Sequence, residues 1–522
     1  MAQKNGTTNE PKVSVLLSTY NRRRYLPISL SSIVRQDYRN LEIFVIRDGG
    51  EEVGDIVGSF NDSRIVFIDR KDNRGLPHSL NEAIGRATGK YICYLGDDDL
   101  YYPHHVSTLV DALENKTDCQ AAYSDLYKTY CRILPDGSRQ VLGKFVEISR
   151  DFDRFFILYF NHVLHVSLMH TRDILEKTGL YNEKVTALID WDMTRRLVFF
   201  TDFYHVADVT GEFYAPVSDN DRISFLKRKD SAGFATNFLS IRTTRPAKPW
   251  SKLKDLSIIF MADRLDRLAG KTVSSIWQQT FYPYKLYIPV SAAAGNVGTD
   301  MPNLVCVPVD ALATQDQQID AALRDCEGEF VAIAPADLPV NDMWVEEPLY
   351  ALINNKEKNQ AYQMESSSDQ LWSAVFRKEE LLEARKLFPN EPVRQSVLKS
   401  GITIQRVAPE EIPFQFDSLL KQGKQAGRNG NWYEAAEIFE YIAEHYQNEL
   451  WMKSLVAGAL HKAGDDDRAA ELVKKVNASR PTVDTLLLEA RIHKKSRDFS
   501  RAIELLESAR SVLKGDYLYG NS

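Results

Sequence analysis

Over the first hundred residues, short β-branched runs alternate with stretches of helical spacing. Val13-Ser14-Val15-Leu16-Leu17 predicts a strand, Ser18-Thr19-Tyr20-Asn21-Arg22 a polar loop, and Leu26, Leu30, Ile33 and Val34 one face of a helix. Leu41–Ile46 predicts a second strand, ending at Arg47-Asp48-Gly49-Gly50, and Arg64–Ile68 a third. Leu80–Ala87 reads as a helix that stops at Gly89, before a fourth strand over Tyr91–Leu95. Such alternation predicts a parallel, doubly wound α/β sheet, with ligands at the carboxyl ends of its strands. The polar clusters at 18–22, 47–50 and 96–99 all fall at that edge.

Further along, the apolar period lapses over 241–256, where Arg245-Pro246-Ala247-Lys248-Pro249 reads as a linker. Beyond it the first pattern returns faintly. Ser31-Ser32-Ile33-Val34-Arg35-Gln36 recurs as Ser274-Ser275-Ile276-Trp277-Gln278-Gln279, and Ala87–Ile92 recurs as Cys326–Val331. Residues 257–412 are therefore expected to form a second α/β domain of the same type. A third periodicity follows: Ala435, Ala469 and Ala502 lie 34 and 33 residues apart within similar segments, which resembles tetratricopeptide-like helix pairs over 417–515. Residues 1–10 are polar and are expected to be disordered.

Composition narrows the function. A chain of 522 residues, 44% hydrophobic and 26% charged, has the make-up of ordinary globular protein with two to four folded units. Its net charge of −7 argues against a nucleic-acid partner. Five scattered cysteines suggest neither a disulfide framework nor a zinc site and fit a reducing, cytoplasmic setting. No run is long and apolar enough to span a membrane. The segment Phe155–Phe160 is apolar enough to touch lipid, though core is its commoner use, so the pattern leaves room for peripheral attachment at the inner membrane surface.

The chemistry concentrates in Gly96-Asp97-Asp98-Asp99. Three adjacent carboxylates repel one another, and a hard cation such as Mn²⁺ or Mg²⁺ carrying a diphosphate relieves that repulsion. An acidic turn capping a helix is the plainer alternative. The position of the triplet after a buried-looking strand, at the ligand edge of the sheet, favours the site.

Taken in order, Val15–Arg22, Ser32–Tyr38, Val45–Gly49, Asn73-Arg74-Gly75, Gly89–Ile92 and Tyr94–Asp99 resemble the GT-A fold, family 2 glycosyltransferases over residues 11–230, within a domain expected over 11–240. The resemblance implies a Rossmann-like nucleotide-sugar domain and an inverting, metal-dependent hexosyl-type transfer. Thr19, Tyr20, Asn21 and Asp48 would contact the nucleoside, Arg74 the base or phosphate, and Asp97 the ribose or diphosphate. Asp98 would be the metal ligand, with Asp99 binding through water or capping a helix. Asp190 is the candidate general base and Asp192 the second choice. His165 would help position the acceptor or phosphate, although an apolar-flanked histidine such as it, His162 or His170 is more often structural. Arg222, with Ser224, would lie in a loop over the donor phosphates.

UDP-sugars are the favoured donors, and a glycan, lipid-linked glycan or protein the acceptor. The second domain keeps one carboxylate in Ala336-Asp337-Leu338, has Ser291 near the place of Asp48 and Ala262-Asp263-Arg264 in place of Thr19–Asn21, and offers Glu391 near the base position; it is expected to be inactive. The tail would bind a protein partner or a second copy of the chain. A non-catalytic scaffold assembling glycan-biosynthesis enzymes is the alternative, and a nucleotidyltransferase is disfavoured because no Gly-rich phosphate loop is present.

Overall fold

The computed structural model of the chain describes residues 10–146, 149–217, 231–262, 267–291, 303–338, 340, 343–363, 374–407, 415–445, 449–479 and 481–514. It comprises two compact units, one built from segments 1–153, 161–231 and 416–522, the other from 154–160 and 232–415.

In the first unit, strands β1 (Val13–Thr19), β2 (Leu41–Asp48), β3 (Ile65–Arg70) and β4 (Tyr91–Gly96) pair in parallel in the order β3-β2-β1-β4. The apolar runs of β1, β2 and β4 are buried on both faces, as a sheet covered by helices requires, whereas the edge strand β3 buries only Ile68. The helix after β1 spans Leu26–Val34 and buries Leu26, Leu30 and Ile33, the predicted face. The helix expected over Leu80–Ala87 begins earlier, at Leu76, where Gly75 turns at φ 90° and Pro77 sits in the first turn.

The four strands expected from the first hundred residues pair in parallel, and beyond them the sheet becomes mixed. Past β4 the order continues through β8 (Leu168–Thr171), β6 (Cys119–Ile133), β9 (Asp202–Pro216) and β5 (Leu100–Tyr101), with β7 (Arg139–Phe145) off β6. β8 runs antiparallel to both β4 and β6. β6 and β9 escape a reading of apolar period because they bury Asp125, Thr129 and Glu212, whose pairing makes burial tolerable. Glu212, for instance, accepts bonds from Lys144 at 2.5 Å, Tyr102 at 2.9 Å and Thr129 at 2.7 Å.

The amino end of the parallel sheet is pinned by one carboxylate. Glu42 accepts bonds from Ser14 Oγ at 2.5 Å, Thr88 N at 2.6 Å and Gly89 N at 3.0 Å, joining β2, β1 and the approach to β4. Burial opposes its charge, but these donors outweigh it and hold its pKa below the ordinary value.

In the second unit, β10 (Leu256–Met261), β11 (Tyr284–Ser291), β12 (Leu304–Val309) and β13 (Phe330–Pro335) repeat the parallel order as β12-β11-β10-β13. β15 (Val375–Arg377) then pairs antiparallel to β13, with β14 (Gln360–Gln363) and β16 (Thr403–Arg406) beyond it. The faint repeat has a physical basis: Gly89 lies against Ser14 in the first sheet as Gly328 lies against Ser257 in the second, with the glycine N–H donating to the serine Oγ at 3.1 and 2.9 Å. Phe155, Phe156, Ile157 and Leu158 are buried within this unit, where the Phe155 ring meets Tyr282 and Tyr350, so these four are core, while Phe160 stays exposed.

Among the described residues, six helices form the tail, from Gln415–Arg428 to Phe499–Lys514, and Ala435, Ala469 and Ala502 are all buried between them. The last pair, Val483–Lys495 and Phe499–Lys514, contributes Val483, Leu486, Leu505 and Val512 to a core shared with Leu100, Tyr102 and Tyr127. That attachment has no local sequence signal. Among the described residues, no helix is long and apolar enough to cross a membrane.

A Cβ added at Gly89 would lie 2.7 Å from Ser14 N and 2.9 Å from Lys12 O, both backbone atoms. Gly89→Ala is expected to cost about 1–3 kcal/mol as overpacking, read as a lowered melting temperature by calorimetry. An unchanged melting curve would show that the two strands can part at no cost.

Candidate active site

The register places three loops side by side. β1 pairs Ser18 with Gly96 of β4 and Thr19 with Arg47 of β2, so Thr19-Tyr20-Asn21, Asp48-Gly49-Gly50 and Asp97-Asp98-Asp99 leave the sheet together. Tyr20 N donates to Asp97 Oδ2 at 3.4 Å, and Glu51 N to Asn21 Oδ1 at 3.0 Å. Asn21 adopts φ 53°, which its short amide tolerates, and its side chain fills the space a Cβ on Gly50 would need. The Tyr20 ring remains 48% exposed, an apolar face at the rim. Beside it opens a cleft of about 600 Å³ lined by Asn21, Arg22, Arg23, Arg24, Tyr25, Glu51, Ile56 and Ile133.

Asp48 is buried and fully engaged. Its two oxygens accept from Arg74 N at 2.9 Å and Gly75 N at 2.8 Å, and Arg70 Nη1 lies 3.4 Å away. It therefore fixes the loop that carries Arg74, whose side chain is directed at His78 Nε2, 3.4 Å distant.

The three carboxylates divide. Asp97 and Asp98 share one guanidinium: Arg22 Nη1 forms an ion pair with Asp98 and lies 3.7 Å from Asp97 Oδ1. Burial, and next the charge of Asp98, push the Asp97 carboxyl up to about 7, against the pull of Arg22. Arg139 Nη1 donates to the Asp98 carbonyl at 2.7 Å, and its guanidinium lies over the Tyr25 and Tyr214 rings, at 3.8 and 4.3 Å. Asp99 turns away, its Oδ1 accepting from Tyr214 N at 3.0 Å on β9.

Among the described residues, no three His, Cys, Asp or Glu side chains gather as a metal cage. Two carboxylates already bridged by a cation nevertheless suit Mg²⁺ or Mn²⁺, which are commonly held by one or two carboxylates together with phosphate oxygens and water. The residues fit such an ion when a diphosphate completes its shell.

Asp190 stands in the first turn of the helix Ile189–Leu197, half-buried, and accepts from Asn161 Nδ2 at 3.1 Å. Asn161 is itself held, its Oδ1 accepting from Val163 N and Thr194 Oγ1, both at 3.1 Å. Asp192 is 1% exposed and paired with Arg196 at 2.7 Å; that arginine also donates to Thr178 O and Gly179 O. Its charge is committed to packing this helix.

His165 is half-buried, its ring stacked on Tyr94 with centroids 4.1 Å apart and its Nε2 2.8 Å from Tyr181 Oη. Burial pushes its pKa down to about 3, so it is neutral at physiological pH and brings no positive charge to a phosphate. His170, lowered to about 4 by burial, pairs with Tyr94 Oη at 2.6 Å. Arg222 and Ser224 lie outside the described residues. Arg139, Tyr214 and Asn161 carry no motif signal; Arg22 stood in the quoted motif without a role.

Residues 14–166 match the family model described as Glycosyl transferase family 2, so the first α/β domain is a domain of that family. An uncharacterized glycosyltransferase of Haemophilus influenzae is 30% identical over 222 residues, 40% of this chain and 61% of that protein. Another, RP339 of Rickettsia prowazekii, is 25% identical over 228 residues, 42% and 69% of the two chains. The putative colanic acid biosynthesis glycosyl transferase WcaA of Escherichia coli is 33% identical over 105 residues, 20% and 38%. The chain thus spans 69% of RP339 but less than two thirds of the other two. Among solved structures, Staphylococcus aureus TarS 1–349 in complex with UDP-GlcNAc gives a TM-score of 0.36 at 17% identity, covering 44% of this chain and 65% of that one.

Asp192→Asn leaves Arg196 buried beside a neutral partner and is expected to cost about 3 kcal/mol, more than Asp190→Asn at its half-buried position. Thermal unfolding of the two variants checks this; equal melting temperatures would refute the division of roles.

Proposed function

We propose that the first domain transfers a sugar, with inversion, from a nucleoside diphosphate sugar to an acceptor hydroxyl. The observation that carries the proposal is the convergence of the Thr19–Asn21 loop, the Asp48 turn and the Asp97-Asp98 pair at one edge of a sheet that belongs to this family. Tyr20 offers its exposed face to the base. Thr19 and Asn21 contact the nucleoside, and Asp48 serves it by holding the Arg74 loop in place. Asp97 faces the ribose or diphosphate, Asp98 holds the metal, and Asp99 keeps the turn joined to β9. Arg222 would close over the donor phosphates.

When bound, Mn²⁺ or Mg²⁺ supplies Lewis-acid stabilisation of the charge left on the departing diphosphate. Asp190 accepts the acceptor hydroxyl proton on its carboxylate oxygen as the new O–C1 bond forms. The C1–O bond to the diphosphate breaks on the opposite face, and the nucleoside diphosphate leaves with the electron pair. Asn161 positions Asp190 for this step. Asp192, already neutralised by Arg196, is a poor proton acceptor, and neutral His165 supports the acceptor side by packing.

A UDP-sugar remains the favoured donor, and a glycan, lipid-linked glycan or protein the acceptor; a glycan accords with the colanic acid biosynthesis in the name of WcaA. The second domain serves as an inactive scaffold. In its Ala336-Asp337-Leu338 segment the Ala336 carbonyl accepts from Thr272, and Glu391 is an exposed partner of Lys399. Position 263, the Asp expected in its loop, lies outside the described residues. A cytoplasmic location, with peripheral contact at the inner membrane surface, accords with this activity, and the tail would hold a protein partner or a second copy of the chain.

Purified protein incubated with Mn²⁺ and a panel of nucleotide sugars is expected to hydrolyse one donor slowly. Asp98→Ala should abolish that turnover, and Asp190→Asn should lower transfer at least about 100-fold while sparing donor binding. No binding or turnover of any nucleotide sugar would overturn the reading in favour of a non-catalytic scaffold.

A further inference from the structure

The chain that leaves the Asp97-Asp98-Asp99 turn runs straight under the tail. Leu100 and Tyr102 are buried in one core with Leu486 and Leu505 of the last two tail helices, and Tyr214 of β9 packs against the same core. Tyr214 also meets the turn itself. Its N–H donates to Asp99 Oδ1 at 3.0 Å, and its ring lies 4.3 Å from the guanidinium of Arg139, which donates to the Asp98 carbonyl at 2.7 Å. The helix Val483–Lys495 runs beside β7, the strand that begins at Arg139. Two short routes therefore join the tail to the carboxylate turn, one through Leu100 and one through Tyr214 and Arg139. The earlier tail helices bury a core of their own, around Phe439, Ile442 and Val456.

Building on the proposed transfer reaction, we infer that the last helix pair of the tail is a working part of the donor site: it backs the Asp98-Asp99 turn, and Tyr214 is the positioning residue that carries its support to the metal ligand. A carboxylate holds a divalent ion well only when its backbone is fixed, because the ion tolerates little error in ligand geometry. Asp98 is fixed from behind by Arg139 on its carbonyl and by the burial of Leu100 two residues on. Arg139 in turn lies over two rings, Tyr25 at 3.8 Å and Tyr214 at 4.3 Å, and the second of these rests on the tail. Detachment of the helix pair would strip Leu100 of its apolar cover and Tyr214 of the surface that places its ring. Metal and donor then bind more weakly, and by reciprocity bound metal and donor hold the helix pair in place.

The test is amide hydrogen exchange of the full chain with and without saturating Mn²⁺ and UDP, together with calorimetric binding of UDP in Mn²⁺ to variants. In wild type, Mn²⁺ and UDP are expected to slow exchange in the helices Val483–Lys495 and Phe499–Lys514 about fivefold, the scale of one ring–guanidinium contact. Residues 415–445 should keep their rate. Leu505→Ala and Tyr214→Leu should each weaken UDP binding about fivefold, whereas Tyr214→Phe, which keeps the ring, should bind as wild type does. Ile442→Ala, a comparable truncation in the tail's other core, should lower the melting temperature and leave binding unchanged, a contrast that a merely structural tail would not produce. If Leu505→Ala proves too unstable to assay, the wild-type exchange pattern decides. UDP binding that Asp98→Ala abolishes, with exchange in the last helix pair unmoved, overturns the role of the tail and leaves the donor site standing. Absence of UDP binding to wild type in Mn²⁺, or binding indifferent to Asp98→Ala, overturns both.

Discussion

Two carboxylates placed in consecutive positions at the end of a buried strand are the constraint around which this domain is organised. Asp97 and Asp98 cannot both carry charge there without a cation, and burial makes the repulsion more costly than it would be in water. The sheet supplies the setting. β4 lies beside β1, so the loop leaving β1 runs past the end of β4 and brings Arg22 onto the pair. A hairpin strand brings Arg139 to the other side, where it lies over two tyrosine rings, donates to the Asp98 carbonyl and stands 4.0 Å from the Asp98 carboxylate.

Other features of the edge follow from that arrangement. Asp99 cannot join its neighbours without adding a third charge, and its bond to Tyr214 N uses it to tie the turn to β9. Asp48, one strand further on, is spent on backbone N–H groups of the Arg74 loop, so it shapes the pocket more than it offers charge to it. The result is an edge whose negative charge is concentrated at one point, with an arginine-lined cleft beside it. That polarity suits a ligand with an anionic middle and a neutral ring at either end.

How much of this was legible in the sequence depended on the range of the interaction involved. The strand ends, the Asp97-Asp98-Asp99 turn and the glycine at 89 with its twin at 328 were readable because the information lies within a few residues. The internal repeat was readable for the same reason: a glycine that must lie against the backbone of Ser14 or Ser257 leaves a short, fixed trace. Long-range partners left none. Arg139 is 41 residues from Asp98, Asn161 is 29 from Asp190, and the tail's core with Leu100 and Tyr127 joins segments more than 300 residues apart. β6 and β9 were missed because buried polar networks erased the alternation that marks a strand.

The acidic helix start at 190–192 shows why a motif alone cannot assign a role. Both carboxylates lie in the first turn, where the helix dipole favours either, and sequence ranks them only by resemblance. Their partners separate them. Asp192 meets Arg196 four residues on, a local ion pair closed off by two carbonyls, and so contributes to packing. Asp190 meets the amide of Asn161, which is itself anchored on two sides and so helps to aim the carboxylate. Under the proposed reaction a proton acceptor must be held in a fixed orientation, and the anchored Asn161 amide is what favours Asp190 over the Arg196-paired Asp192.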